Sequence, residues 1–362
     1  MSRFARDMAV VYWEEPVEIG RRETAFLQVR EARECASVRL VVPHVPEGLD
    51  DEGREAVLCR LLEAYSAGLT RPLIAWYYTP MMLPFSRHLD ASLVVFDAMD
   101  ELSKFRFAPP RLLDLEQELI DRADLIFTGG SSLYEAKKDR HPSVHCFPSS
   151  VDRAHFAKAR AVQDDPADQK DLPRPRLGFY GVIDERFDIE LLDKAAEQRL
   201  DWQFVMVGPV VKISEDELPR RPNIHYLGPK SYAELPRYLS GWDVALMPFA
   251  MNESTEFISP TKTPEYLAGG RPVVSTPVRD VVRHYGHLQG VRIAADADRF
   301  VAACDELLQT VRAGQGDWLA EADLLLSATS WDTTQARMAG LVRQALGEGK
   351  EASVPALLAA AE

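Results

Sequence analysis

The chain has 362 residues, a formal net charge of −14, and 46% hydrophobic against 27% charged residues. That length accommodates about two domains of roughly 150 residues each, and the composition is that of an ordinary globular protein. The acidic balance argues against broad nucleic-acid binding, which needs a basic footprint, and against strongly electrostatic attachment to an anionic membrane.

Apolar runs of strand length recur along the chain, separated by helical patterns. The first half carries them at Met8–Trp13, Val38–Pro43, Leu73–Tyr78, Leu93–Phe96, Asp124–Thr128 and Val144–Phe147. The second half carries them at Arg176–Gly181, Gln203–Gly208, Ile224–Gly228, Asp243–Phe249, Pro272–Thr276 and Val291–Ala294. Such runs lack polar alternation, so they predict parallel strands buried on both faces. Helices are predicted at Glu55–Ala67, Arg111–Arg122, Ile189–Gln198 and Tyr232–Ser240. Strand and helix alternating across two halves give an α/β chain of two doubly wound, Rossmann-like domains. In open α/β sheets ligands sit beyond the carboxyl ends of the strands at the switch point, so a site in a cleft between facing domains is expected.

The segment 160–176 has many charges, three prolines and no periodicity, and reads as a linker. The expected divisions are a first domain over 1–159, a linker over 160–175, a second domain over 176–330, a helix over 331–347 and a frayed or partly helical tail over 348–362. No apolar run approaches the roughly 18 residues of a membrane span. The opening "MSRFARDMAVVYW" has no apolar core followed by a small-residue cleavage site, which makes the cytoplasm the expected location. Cys35, Cys59, Cys146 and Cys304 lie far apart with no zinc spacing and are expected to be reduced and buried. The histidines form no metal-binding pair. His145 and His225 lie in apolar strand patterns and are expected to be core residues with their hydrogen bonds satisfied.

The densest chemistry lies in "SPTKTPEYLAGGRPVVST", Ser259–Thr276, read as a short helix followed by a buried strand. Pro260 and Pro264 fit only a first helical turn, and Gly269 and Gly270 stop the helix. Lys262 and Glu265 stand at i and i+3 on one face. A lysine at a helix start suits a diphosphate. A carboxylate one turn further in can accept from both hydroxyls of a ribose. The pair suits a nucleotide diphosphate sugar; the alternative is a surface helix with a solvated Lys and Glu.

The order of segments resembles GT-B-fold glycosyltransferases of the family 4, or group 1, type. The likeness runs from Val94 to about Leu346. It rests on "FPSSVDRAHF", "RLGFYGVIDERFDIELL", "FVMVGP", "IHYLGPKSYAELPRYLSGWDVALMPF" and "PTKTPEYLAGGRPVVST". The P-x-K-x-x-E-Y pattern is similar to that of polysaccharide-assembly transferases.

The resemblance implies a metal-independent transferase with no cofactor beyond its nucleotide-sugar co-substrate. A uridine diphosphate sugar is the preferred donor, and the acceptor is a glycan or lipid-linked. It implies that Glu265 binds the donor ribose, and that Lys262 and Arg186 bind the diphosphate and stabilise the leaving group. Pro260 and Thr261 would bring the helix start near the phosphates. Gly181 and Gly208 would let the donor approach the backbone, and the base would rest at Tyr226–Gly228. Asp97 and Asp100 replace the family's "HD", with Asp100 the candidate base or acceptor-orienting group. Phe257 takes the place of the family's first glutamate, eight residues before Glu265; Glu253 and Glu256 are near it but out of register. The helix over 331–347 would return to the first domain. A GT-B sugar-nucleotide epimerase and a non-catalytic nucleotide-sugar-binding subunit are the alternatives.

Two further expectations concern the first domain. Its first strand and glycine-containing loop are missing from the start of the sequence, which would leave unpaired strand edges. A truncated start is the preferred explanation, with completion by another segment or subunit as the alternative. Met, Phe, Lys and Arg on the loops Thr79–Phe85 and Ser103–Arg111 could touch a lipid-linked acceptor, giving peripheral contact at the inner membrane face. Packing of these loops into the core is the competing and preferred reading.

Overall fold

The computed structural model describes all residues except 34, 162, 315–316, 348–355 and 361–362. The chain divides into two compact units. Unit 1 comprises 1–103, 107–147 and 332–362; unit 2 comprises 104–106 and 148–331. The division falls after Phe147, about a dozen residues before the expected end of the first domain.

In chain order unit 1 carries β1 (Ala9–Trp13), β2 (Val17–Ile19), β3 (Phe26–Ala32), β4 (Cys35–Pro46), α1 (Asp51–Ser66), β5 (Leu73–Tyr77), α2 (Leu83–Ser86), β6 (Leu93–Ala98), α3 (Leu112–Arg122), β7 (Leu125–Thr128), α4 (Ser131–Lys137) and β8 (Val144–Cys146). Unit 2 follows with α5 (Arg153–Ala157), β9 (Arg176–Tyr180), α6 (Ile189–Gln198), β10 (Gln203–Val207), β11 (Ile224–Tyr226), α7 (Leu235–Ser240), β12 (Val244–Met247), α8 (Lys262–Ala268), β13 (Val273–Ser275), α9 (Arg279–Tyr285), β14 (Val291–Ile293), α10 (Ala297–Arg312) and α11 (Trp318–Ser327). The chain then contributes α12 (Trp331–Ala345) and β15 (Ala356–Ala360).

Every apolar run singled out in the sequence is a strand. β5, β7, β9 and β12 are buried along their whole length, as strands covered on both faces must be. Unit 2 has one parallel sheet in the order β11-β10-β9-β12-β13-β14. Its strand order reverses at β9, which makes a switch point between β9 and β12.

Unit 1 has a sheet in the order β2-β4-β1-β15-β5-β6-β7-β8, with β3 added antiparallel to β4. Here the sequence expectation fails. The tail does not fray or coil over 356–360: it forms β15, parallel to β1 on one side and to β5 on the other. Ala356 pairs with Ala9 and with Leu73, and Leu358 with Val11 and Ala75. The expected unpaired edges of β1 and β5 are therefore filled by another segment of the same chain. Leu357 is completely buried, in a core with Val10, Trp76 and Phe127. Ala339 and Val342 of α12 pack into that same core. The part of the tail over 348–355 and 361–362 lies outside the described residues.

Three smaller expectations also change. Segment 160–176 is irregular but packs into unit 2 instead of linking. Gln169 is fully buried, accepting from Trp242 Nε1 at 2.9 Å, and Arg176 Nη1 meets Asp165 Oδ2 at 2.7 Å. Of the cysteines, all free, only Cys304 is buried. His145 and His225 are half-buried, each at hydrogen-bond distance from a strand neighbour, Ser143 and Gln203. On the loop Thr79–Phe85, Met82, Leu83 and Phe85 are buried, which is the packing reading of that loop. Among the described residues no helix is long and apolar enough to cross a membrane.

Candidate functional site

The carboxyl end of unit 2's sheet brings five of the predicted residues together. Gly181 follows β9, Gly208 follows β10 and Pro248 follows β12, and the loops they open are stitched to one another. Gly181 N donates to Val207 O at 2.9 Å and Gly208 N to Gly228 O at 2.9 Å. On the other side, Asp188 N donates to Pro248 O and Ala250 N to Arg186 O, both at 2.8 Å. The 181–188 loop is thus tied on both sides, directly over the switch point.

α8 starts over this loop. Pro264 lies in its first turns, Gly269 caps it, and Gly270 takes a φ of +73°, a conformation that favours glycine. Lys262 and Glu265 project from one face, as their spacing predicts. Lys262 Nζ sits 5.8 Å from the Phe179 ring centroid and 5.9 Å from that of Phe249, so the ammonium is held between two aromatic faces at the strand ends.

Gly181 and Gly208 have φ near +145°, and both earn their glycines inside the fold. A Cβ on Gly181 would run into the Lys262 stem, and one on Gly208 into the Gly181 carbonyl. Packing within the fold therefore by itself requires glycine at both positions.

Glu265 is enclosed but keeps a partly exposed edge. Burial raises its carboxyl to about 7, against the opposing hydrogen bond from Tyr180 and the charge of Lys262. Tyr180 Oη donates to Glu265 Oε2 at 2.9 Å. Arg186 is half-buried. Its guanidinium makes a two-pronged pair with the buried carboxylate of Asp184, with Nη2 2.7 Å from Oδ2, and lies 5.2 Å from the Phe105 ring centroid. The pair with Asp184 fixes the guanidinium against its own loop.

Pro260 and Thr261 precede α8 at its start, half-buried; the Thr261 side chain makes no capping bond. Tyr226 ends β11, and its hydroxyl donates to Pro219 O at 3.3 Å, with Arg220 5.5 Å from its ring centroid. Asp100 belongs to unit 1, half-buried in the loop after β6. Its neighbour Asp97 is buried and accepts from Trp76 Nε1 at 3.1 Å. Glu253 and Glu256 are engaged in ion pairs with Lys104 and Arg279.

Sequence reasoning missed Tyr180, Asp184 and Phe105. Tyr180 and Glu265 are far apart in the chain, so no spacing rule links them. Asp184 two residues before Arg186 was a readable signal for a local pair.

Comparison with known proteins bears on this geometry. The family described as Glycosyl transferases group 1 matches residues 174–310, the stretch that contains β9 to β14 and α8. That stretch of unit 2 is therefore similar to the group 1 glycosyl transferases. A Bacillus subtilis (strain 168) protein named as a teichuronic acid biosynthesis glycosyltransferase, TuaH, is 27% identical over 260 residues. The match covers 64% of this chain and 63% of that protein, so the chain spans less than two thirds of that relative's length.

Solved structures extend the likeness to the whole fold. Sucrose-phosphate synthase from Thermosynechococcus elongatus superposes with a TM-score of 0.70 at 17% identity, over 96% of this chain and 91% of that one. The Escherichia coli trehalose-6-phosphate protein bound with UDP-2-fluoro glucose gives 0.66 at 14% identity, over 94% of each chain. Anabaena HepE in complex with UDP and glucose gives 0.63 at 14%, over 83% of this chain and 85% of that one. At these identities the likeness establishes the fold, which is GT-B, as the group 1 resemblance implied.

Proposed function

We propose that the protein is a glycosyltransferase that takes a sugar from a nucleotide diphosphate sugar, with a uridine diphosphate sugar as donor and a glycan or lipid-linked acceptor. The observation that carries this reading is the placement of Lys262 and Glu265 on one face of α8, whose Lys262 stem lies against Gly181 at the start of the 181–188 loop that carries Arg186. An ammonium and a guanidinium there offer charge-assisted donors to a diphosphate. A carboxylate beside them accepts from ribose hydroxyls. The leaving group is a nucleoside diphosphate, so Lys262 and Arg186 stabilise the charge that grows as the sugar–oxygen bond breaks. They supply this without a metal in the present reading. UDP in the two similar structures favours uridine. Asp100 remains the candidate group to orient the acceptor or take its proton.

A thermal-shift and calorimetric screen of UDP, GDP and ADP tests the reading, with Glu265→Ala alongside. UDP is expected to bind the parent, and Glu265→Ala to lose about 1.5–3 kcal/mol, roughly tenfold to 150-fold in Kd, as charged hydrogen bonds are removed. Unchanged nucleotide affinity in the variant would remove Glu265 from the site.

A further inference from the structure

We propose that Tyr180 is a positioning residue for the donor: its hydroxyl holds the Glu265 carboxylate, and seating the donor ribose requires that carboxylate to have given up its proton. The inference rests on the donor site proposed above and deepens it.

Tyr180 is almost fully buried at the end of β9, and its ring is gripped on several sides. Tyr266 meets it at 4.7 Å between centroids, Trp242 at 5.8 Å and Phe156 at 6.2 Å. The backbone is pinned as well, because Tyr180 N donates to Tyr266 Oη at 3.0 Å. A hydroxyl on a ring so held has one place to point, and Glu265 Oε2 is there at 2.9 Å. Among the described residues no other side chain donates to Glu265. The tyrosine therefore fixes one oxygen and leaves the other as an acceptor.

A ribose diol presents two donors. An ionised carboxylate accepts on both oxygens, whereas a protonated one has turned one of them into a donor. Burial has already raised Glu265 to about 7, so near neutrality a share of the protein carries the wrong form. Ribose recognition then weakens as pH falls below that value, about tenfold per unit once the neutral form dominates, because only the ionised fraction competes for the ligand.

The other titratable or charged groups around Glu265 are few. Lys262 and Tyr266 share its helix. Tyr232 lies near Tyr180. α5, which packs on α8, brings Asp152 as its N-cap and His155, whose ring stacks on Tyr232 at 4.2 Å. The Arg160–Asp323 pair, with α11 also packed on α8, lies by the helix's last carbonyls, since Arg160 Nε donates to Ala268 O.

The test measures affinity for UDP and for 2′,3′-dideoxy-UDP from pH 5.5 to 8.5. Their ratio isolates ribose recognition and cancels titration of the nucleotide's own phosphates. The ratio should be largest at pH 8.5 and fall about tenfold by pH 6. Tyr180→Phe should lower it and move its midpoint upward, since the lost hydrogen bond favoured the ionised form. Glu265→Gln should make it independent of pH, and His155→Gln should leave the midpoint in place. A ratio flat in the parent, a midpoint unmoved in Tyr180→Phe with Tm preserved, or a midpoint displaced in His155→Gln would each overturn the inference. Failure of UDP to bind at pH 8.5 would instead overturn the donor-site reading beneath it.

Discussion

β9 and β15 occupy equivalent places in their sheets and reach them by opposite routes. Each is the strand at which the order of its sheet turns, with β10 and β12 beside β9 and β1 and β5 beside β15. β9 is the first strand of its own unit, and the next strand in sequence pairs with it. β15 arrives from the other end of the chain and pairs with residues separated from it by nearly the whole sequence. A parallel sheet requires its central slot to be filled, because a vacancy leaves two rows of unpaired N–H and C=O groups. It does not require that neighbouring sequence do the filling. Unit 2 combines fold and site in one strand, since the loop leaving β9 carries Gly181 and Arg186. In unit 1 the described part of the central strand contributes packing and hydrogen bonds alone.

The comparison is broken most severely by deleting residues 356–362. The deletion removes two strand ladders at once. It also removes Leu357 and Leu358, each contributing about 1.5–3 kcal/mol of burial. With ladder bonds added, the loss is of the order of a whole domain's stability, about 5–15 kcal/mol. Unit 1 is expected to lose its cooperative unfolding transition and to aggregate through the β1 and β5 edges, while unit 2 keeps its own. Hydrogen exchange read strand by strand decides the matter: unaltered protection in β1 and β5 would refute the role given to β15. Its long-range pairing also predicts that the unit 1 sheet closes late in folding.

The second break is made in unit 2. Gly208→Ala places a methyl group against the Gly181 carbonyl at a φ that side chains rarely adopt. The cost is expected to be about 3 kcal/mol or more, backbone strain together with forced movement of the 181–188 loop. Urea unfolding should show the loss in unit 2's transition and none in unit 1's. A shift of less than 1 kcal/mol would mean that the loop yields easily and that the site is not rigidly built.

The same contrast explains what was legible in the sequence. Strands such as β5 and β12 were readable because both faces are apolar. β15 was not, because "ALLAA" is composed of strong helix formers and only the vacant slot overrides that preference. β3 escaped notice as well, since most of its residues are exposed and its antiparallel pairing to β4 is made by backbone groups. Lys262 and Glu265 could be paired from their spacing alone. The grip of Tyr180 on Glu265, and of Gln169 on Trp242, joins residues far apart in sequence, so local patterns carried no trace of either. Charges and prolines made 160–176 look like a free linker, and its anchors in Tyr238, Trp242 and Lys230 become visible only in three dimensions.

The smallest effect sharpens the contrast between a strand that only stabilises and a site that costs stability. Glu265 has a folded value of about 7 against an ordinary 4.5, with burial as the main cause. Between those values the folded chain binds more protons than the unfolded one, so this group's stabilisation is complete below pH 4.5 and is lost as pH rises through 7. The full shift is worth about 3 kcal/mol. Glutamine cannot ionise and still offers an oxygen to the Tyr180 hydroxyl, though its buried amide N–H takes back part of the gain. Glu265→Gln should therefore match the parent near pH 4.5 and exceed it by about 1–3 kcal/mol at pH 8, measured by urea unfolding of the unit 2 transition. A difference of equal size at both pH values would show that the carboxylate bears no ionisation cost in the fold. No counterpart is expected from β15: its four residues with described burial, Ala356–Ala359, are apolar and buried, so its contribution should not vary with pH over the same range.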